Sequence, residues 1–542
     1  MVIESQPWSS IPAMLAATVA RFGDRPALVD GPVERSWAQL NEAAVEVAAS
    51  LVATGVQPGE RVGIWAPNGA EWVTAVLGLL AAGAVLVPVN TRFKGPEAAE
   101  LLRRAGVGVL VTTAGFLGND YPALLEDAGA DLPDLETVVL TGGHPTSASS
   151  RSSVVVGWDE LLDRATPAAR DEVARRAGSL GPEDPSDILF TSGTTGSPKG
   201  VVMTHRRTLA VASDWAAMTG LGPDDRYLMV NPYFHMFGLK AGILACVAAG
   251  ATMLPQPVFD VDRVLARVAD ERVTVLPGPP TLYQSLLDHP GRSDHDLSSL
   301  RVAVTGAADI PVALVRRVHD ELPFRLVITG YGLTEAGTAF ATGEADDIET
   351  VATTVGRPRP GFELRIVDGS GREVAPGEAG EVVLRGPSVM AGYLDDPEAT
   401  AAALSDDGWL RTGDLGTVDG AGCLRIVGRV KDMFIVGGFN AYPAEIENAL
   451  LRHPDVAQAA VVGIPDERLG EVGMAFLVLR PGADLTPASL VGWCRGQMAN
   501  YKVPRAVELV DALPVNATGK VEKQVLRQRA RSAARSSEVA GG

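Results

Sequence analysis

Between about residue 35 and residue 340, stretches with apolar residues at helical spacing alternate with short β-branched runs, among them RVGIWAP, VGVLVTT, RYLMVNP, VTVLPG, RVAVTG and RLVITGYG. Such alternation predicts parallel sheets with helices on both faces. The nearly continuous apolar stretch from Trp72 to Val89 is nominally long enough to span a bilayer. Gly83 and Pro88 divide it, so Glu71 to Ala82 reads as a buried helix, Gly83 as its stop and AVLVPV as the next parallel strand. Lys240 to Ala249, Gly250 and ATMLP repeat the order helix, stop, strand. From Gly361 the texture changes: FELRIVDG, GEAGEVVLRG and GCLRIVGR are short strands split by Gly and Asp turns, which predicts a small antiparallel, barrel-like unit. A mixed βα pattern follows from about Lys431 to Leu526. Thr141 to Ser153 reads as a loose surface insertion, and SAARSSEVAGG as a disordered tail.

At 542 residues the chain exceeds one ordinary core, so two or more domains are expected. A hydrophobic content of 46% with 21% charged residues suits a globular enzyme. A net charge of −19 argues against nucleic acid or an anionic membrane as a partner. The basic cluster Lys520, Lys523, Arg527, Arg529, Arg531 and Arg535 reads as a solvated helix face, Lys520 excepted. Cys246, Cys423 and Cys494 lie far apart with no CxxC pair, in keeping with a reducing cytoplasm. The N-terminus lacks the basic and apolar regions of a signal peptide, and no transmembrane segment is read.

The candidate chemistry begins at Thr191. TSGTTGSPKG is too glycine-rich to pack as a core segment, but it suits wrapping phosphate. Backbone N–H groups and hydroxyls of Thr191, Ser192, Gly193, Thr194, Thr195 and Gly196 can donate to oxygens, and Lys199 adds a charge. DILF before it reads as a buried strand, so the loop leaves a strand end, where α/β folds bind ligands. Pro198 and Gly200 break the Walker A pattern, and no clear GxGxxG follows a strand. GxSxG and HExxH are absent as well.

In GYGLTEAG, Tyr331 is placed to stack on a base beside Gly332, Thr334 to donate to an α-phosphate, and Glu335 to hold a magnesium ion on a triphosphate. In VTGAADIP, the small residues Gly306, Ala307 and Ala308 let the backbone flank a flat base. WLRTGDLG places Asp414 in a tight turn, where a carboxylate can accept ribose hydroxyls. Arg429 is a candidate ribose or phosphate partner. His235, with Met236, lies in the aromatic segment NPYFHMFG; a lone histidine there is ordinarily a satisfied core residue. Lys240, in GLKAGILACV, has two readings: it helps an acyl pocket select a polar, keto-bearing acid, or it snorkels to solvent from a helix face.

These motifs, from about residue 10 to residue 528, resemble the adenylate-forming superfamily of acyl-CoA synthetases, adenylation domains and luciferases. The resemblance implies two doubly wound α/β subdomains and the barrel-like unit over residues 1–428, a hinge at 429–432, a small mobile α+β domain at 433–530 and a tail at 531–542. It places His235 beside the carboxyl group being activated, Lys431 at the hinge, Gly437 and Gly438 along a CoA channel, and Lys520 as the catalytic lysine of GKVEK. The expected reaction is ATP- and magnesium-dependent adenylation of a carboxylic acid and acyl transfer to CoA, in a cytoplasmic enzyme compatible with a homodimer. The stretches from Asp224 to Pro255 and from Val273 to Pro311 are similar to actinobacterial ligases of sterol breakdown, which implies an indane-type propanoate as the acid. Medium- or long-chain fatty acids, aryl acids, and a free-standing adenylation enzyme that loads a carrier protein stay open beside it.

Overall fold

The computed structural model describes residues 7–142, 153–191, 198–306, 310, 312–436, 439–466, 468–516 and 521–540. The expected alternation is there. A nine-stranded sheet has the parallel strands Val85–Pro88, Arg61–Trp65, Val107–Phe116, Thr137–Thr141 and Val154–Gly157 on one side. Pro185–Thr191 runs parallel to Val85–Pro88, and Lys199–Thr204 and Gly392–Tyr393 then add antiparallel edges. The apolar stretch divides as its glycine predicts: a buried helix Ala70–Ala81, then the strand Val85–Pro88. That helix packs on Trp37–Thr54 so closely that a Cβ on Gly78 would lie 2.7 Å from Val47 and 2.8 Å from the Ala44 carbonyl. No helix among the described residues is long and apolar enough to cross a membrane.

A second α/β layer joins two four-stranded sheets. Arg226–Met229, Thr252–Pro255 and Pro26–Asp30 are parallel, with Val33–Ser36 closing a hairpin. Val302–Gly306 and Leu326–Leu333 are parallel, followed by antiparallel Gly337–Ala341 and Arg357–Pro358. The expected strand VTVLPG lies between them, reduced to one residue: Val275 bridges Tyr227 and Val302. Pro277, Pro279 and Pro280 offer no backbone donor, which ends the ladder there.

The region after Gly361 is the expected antiparallel unit, with strands Glu363–Val367, Gly380–Arg385, Leu410–Val418 and Leu424–Arg429 in sheet order. The last unit centres on the hairpin Val456–Asp466 and Gly470–Leu479, with separate small cores around it. Two expectations need correction. The helix expected over Lys240 to Ala249 is a π-helix over Leu239–Leu244 and an α-turn only over Ala245–Ala249. The segment read as a disordered tail is helical to Ala540 within Lys523–Ala540, since Ala and Arg are strong helix formers. Of the insertion read at Thr141 to Ser153, residues 143–152 lie outside the described residues.

His205, at the start of the helix His205–Thr219, is buried, and its Nδ1 accepts from the Ile11 N–H at 3.3 Å. Burial pushes its imidazole down to about 4, partly offset by Asp187 and Asp184. Below the ordinary histidine range the unfolded chain therefore takes a proton that the folded chain refuses. Stability is fully present above about pH 6.5 and is lost as pH falls toward 4, by about 3 kcal/mol from this group. Urea unfolding at pH 7, 5.5 and 4.5 should show a shallower acid slope for His205→Gln than for the parent chain; equal slopes would remove His205 from the acid response.

Candidate active site

The segment read as a phosphate loop is flanked by the paired antiparallel strands Pro185–Thr191 and Lys199–Thr204. Lys199 pairs across from Thr191, and Thr191 Oγ1 is 3.5 Å from the Lys199 carbonyl. Ser192, Gly193, Thr194, Thr195 and Gly196 lie outside the described residues. The Lys199 ammonium sits over the ring of Tyr393, 4.9 Å from its centroid.

The two strands that lead into the other segments expected to bind nucleotide lie side by side. Gly306 pairs with Gly330, so close that a Cβ on Gly306 would stand 2.6 Å from the Gly330 carbonyl. Ala307 and Ala308 lie outside the described residues. Beyond Gly330, Tyr331 donates its hydroxyl to Asp414 Oδ2 at 2.5 Å. Asp414 lies within the strand Leu410–Val418, not in the tight turn expected from the sequence; Gly413, at φ +69°, breaks the strand's regularity before it, and the Asp414 side chain is buried. Arg429 Nε lies 3.0 Å from Asp414 Oδ1, and the two residues pair across the antiparallel sheet. Burial, reinforced by Asp414, pushes the Tyr331 phenol well above its ordinary range. A carboxylate has about four lone-pair positions. The two contacts seen here leave room for two ribose hydroxyls.

Thr334 and Glu335 follow, both partly buried. Glu335 Oε1 accepts from the Tyr393 hydroxyl at 3.0 Å, and the Glu335 carbonyl accepts from the Met390 N–H at 2.7 Å. Burial raises the Glu335 carboxyl, while Tyr393 and the Arg429 charge pull it back. No group of three or more His, Cys, Asp or Glu among the described residues could hold a metal ion. A lone carboxylate still fits magnesium, which keeps several waters and shares its remaining positions with phosphates. Lys199, Tyr393 and Glu335 thus form one chain of contacts, and Tyr331, Asp414 and Arg429 a second.

His235 enters from another loop. It caps the short helix Met236–Gly238, and its Nδ1 accepts from the Phe237 N–H at 3.1 Å. A neutral ring therefore carries its proton on Nε2. The loop is pinned by Asn68, whose amide donates to the Met229 and Asn231 carbonyls and accepts from the Tyr233 N–H. Met236 is buried beside His235.

Both readings of Lys240 are corrected. Its side chain is fully buried, so it does not snorkel, and its Nζ lies 2.8 Å from Asp187 Oδ1, so it is not a free ammonium for an acid. The approach meets the distance of an ion pair but misses the angles of a hydrogen bond. Burial lowers the Lys240 ammonium and Asp187 raises it back. Asp187 Oδ2 accepts from Ser186 Oγ and Thr208 Oγ1, each at 2.7 Å.

Lys431 falls between the strand Leu424–Arg429 and the strand Phe434–Val436. Its neighbour Asp432 pairs with Arg527 of the last helix at 2.6 Å. Gly437, Gly438 and Lys520 lie outside the described residues. Sequence reasoning missed Asn68, Asp187 and Tyr393. The signal for Asp187 was an acid leading the apolar run Ile188–Phe190, matching an orphan lysine in an apolar helix.

The model of the AMP-binding enzyme family matches residues 15–394, and that of the AMP-binding enzyme C-terminal domain matches residues 445–520. The chain is 52% identical over 521 residues to the 3-[(3aS,4S,7aS)-7a-methyl-1,5-dioxo-octahydro-1H-inden-4-yl]propanoyl:CoA ligase of Mycobacterium tuberculosis, covering 96% of this chain and 98% of that one. It is 47% identical over 522 residues to the Rhodococcus jostii ligase of the same name, with the same coverage. Among solved structures, the anthranilate CoA ligase AuaEII in complex with anthranoyl-AMP matches with a TM-score of 0.84 at 30% identity, over 97% of this chain and 98% of that one.

Proposed function

Because the chain belongs to the AMP-binding enzyme family and is an AMP-forming acid–thiol ligase with ATP and CoA as co-substrates, we propose that its acid is a propanoate carried on a methylated indane-dione, the last two rings of a degraded steroid. One observation carries this: 52% identity sustained over 96% of the chain to a ligase of that acid.

A free carboxylate is a poor acyl donor because its leaving group would be oxide. In the first half-reaction one carboxylate oxygen attacks the α-phosphorus of ATP, the bond to the terminal diphosphate breaks, and acyl-adenylate and pyrophosphate form. In the second, the CoA thiolate attacks the acyl carbon and AMP leaves. The first step gathers anions, so its catalysis is positioning and charge neutralisation. In our reading Lys199 and the phosphate loop hold the triphosphate, Thr334 donates to the α-phosphate, and Asp414 and Arg429 take the ribose. The base would lie between the Tyr331 ring and the Gly306–Ala308 segment. His235 would present Nε2–H beside the acid carboxylate, with Met236 lining the acyl site. Glu335 would hold a magnesium ion, which when bound neutralises triphosphate charge. Lys520 would serve adenylation in one orientation of the C-terminal unit. After rotation about Lys431, Gly437 and Gly438 would line the thiol channel.

The reading includes a cytoplasmic enzyme, supported by three buried free cysteines, and a homodimer, which sedimentation velocity tests. The deciding experiment offers the indane-dione propanoate, octanoate, palmitate and ferulate separately with ATP, magnesium and CoA, and reads thioester by mass. The propanoate should give the highest kcat/KM by at least tenfold. A higher value on octanoate or palmitate would replace it with a fatty-acid ligase, and acyl transfer only to a carrier phosphopantetheine would replace CoA as acceptor.

A further inference from the structure

We propose that Tyr393 is a positioning residue that holds Lys199 and Glu335 apart and aims both at the triphosphate; this rests on the ATP-site reading above. Its hydroxyl donates to Glu335 Oε1 at 3.0 Å, and its ring carries the Lys199 ammonium 4.9 Å from the centroid. Among the described residues neither Lys199 nor Glu335 has an ion-pair partner. Two opposite charges on flexible side chains at one site would otherwise pair with each other, and a paired lysine and glutamate are lost to phosphate and metal alike. The aromatic ring is a spacer that satisfies each separately: its face attracts the ammonium, and its hydroxyl orients one carboxylate oxygen. The second oxygen, Oε2, would then be available to a cation.

The backbone fixes this spacer from both sides. Tyr393 pairs with Val201 on the return strand of the phosphate hairpin, and the Leu394 N–H donates to the Gly200 carbonyl at 2.7 Å. On the other side the Met390 N–H donates to the Glu335 carbonyl at 2.7 Å, and Ser388 Oγ donates to the Ala336 carbonyl at 2.7 Å. The Tyr393 N–H is itself tied to Thr400 Oγ1 at 2.9 Å. Residues 388–394 are therefore a strut between the phosphate hairpin and the GYGLTE loop, with Tyr393 at its working end.

The test uses Tyr393→Phe and Tyr393→Leu in the full chain, checked for an unchanged melting temperature. Equilibrium binding of ATP is measured by calorimetry without metal, and Mn2+ binding to the ATP complex by electron paramagnetic resonance. Tyr393→Phe keeps the spacer and loses the hydroxyl, so metal-free ATP binding should stay within about twofold while Mn2+ affinity falls roughly tenfold, as for other partners that orient a metal ligand. The Phe change should add nothing on top of Glu335→Gln. Tyr393→Leu also frees Lys199 to pair with Glu335, and should weaken metal-free ATP binding too. Unchanged Mn2+ affinity in Tyr393→Phe, or losses that add to those of Glu335→Gln, would overturn the positioning role. Absence of Mn2+–ATP binding in the parent chain would instead overturn the ATP-site reading, with Tyr393 not at issue. Should Tyr393→Leu fail to fold, the Phe variant and its cycle decide alone.

Discussion

Lys240→Met should lower the free energy of unfolding by about 3–5 kcal/mol, the usual cost of breaking one side of a buried ion pair. The lysine side chain is 0% exposed and that of Asp187 3%, so methionine fills most of the volume but leaves a carboxylate with no counter-charge. Ser186 and Thr208 still donate to Asp187 Oδ2, but Oδ1 faces an apolar thioether. Two neutral groups of matching shape are far cheaper to bury than one orphan charge, so Lys240→Met with Asp187→Asn should recover most of the loss. Denaturant unfolding of the two single variants and the double variant measures the coupling. Single-variant losses that simply add would show that the pair is two independent packing contacts. Because Asp187 lies on the strand that ends at Thr191, the single variants should also disturb ATP binding, and the double variant should restore it.

The other large effect separates the two half-reactions. If Lys520 serves adenylation alone, Lys520→Ala removes one electrostatic contact from that step, a loss of roughly two to three orders of magnitude in rate. Given preformed acyl-adenylate and CoA, the same variant should make thioester at close to the parent rate. Lys431→Pro should do the reverse. Proline fixes φ in the short link between the strands ending at Arg429 and beginning at Phe434, so one orientation is favoured, and thioester formation fails while adenylation survives. Pyrophosphate exchange reads the first step and thioester mass the second. Equal loss of both steps in both variants, with circular dichroism intact, would sink the two-orientation mechanism.

The alternation of helix and strand was legible because period and punctuation are local properties: Gly83 and Gly250 each stop a helix where the pattern changes. The single-residue bridge at Val275 was not, since proline's effect on a ladder depends on which neighbours the strand meets. The motif residues from Thr191 to Asp414 were legible from the order of unusual residues; among the described ones, Tyr331 bonds Asp414, and Lys199 and Glu335 both meet Tyr393. Tyr393 was not, because a tyrosine in a strand is locally ordinary, and Asp187 showed only as an acid beside apolar residues; their meaning lies in Lys199, Glu335 and Lys240, far off in sequence. Lys240 was misread for the same reason. Its partner stands on another element, and sequence around a lysine does not reveal a carboxylate packed across from it.

The sheet that holds Val275 also bears on how the chain emerges during synthesis. The strand Pro26–Asp30 pairs with Thr252–Pro255, and Thr252 Oγ1 donates to the Pro26 carbonyl across 226 residues of sequence. At ribosomal speed that separation is a wait on the order of tens of seconds. Throughout it the hairpin Pro26–Ser36 has only itself to pair with, and an isolated hairpin is marginally stable in water. The first-made strands are therefore among the last to be locked, and a chain stalled before Thr252 exposes an unpaired apolar edge to whatever meets it at the ribosome exit.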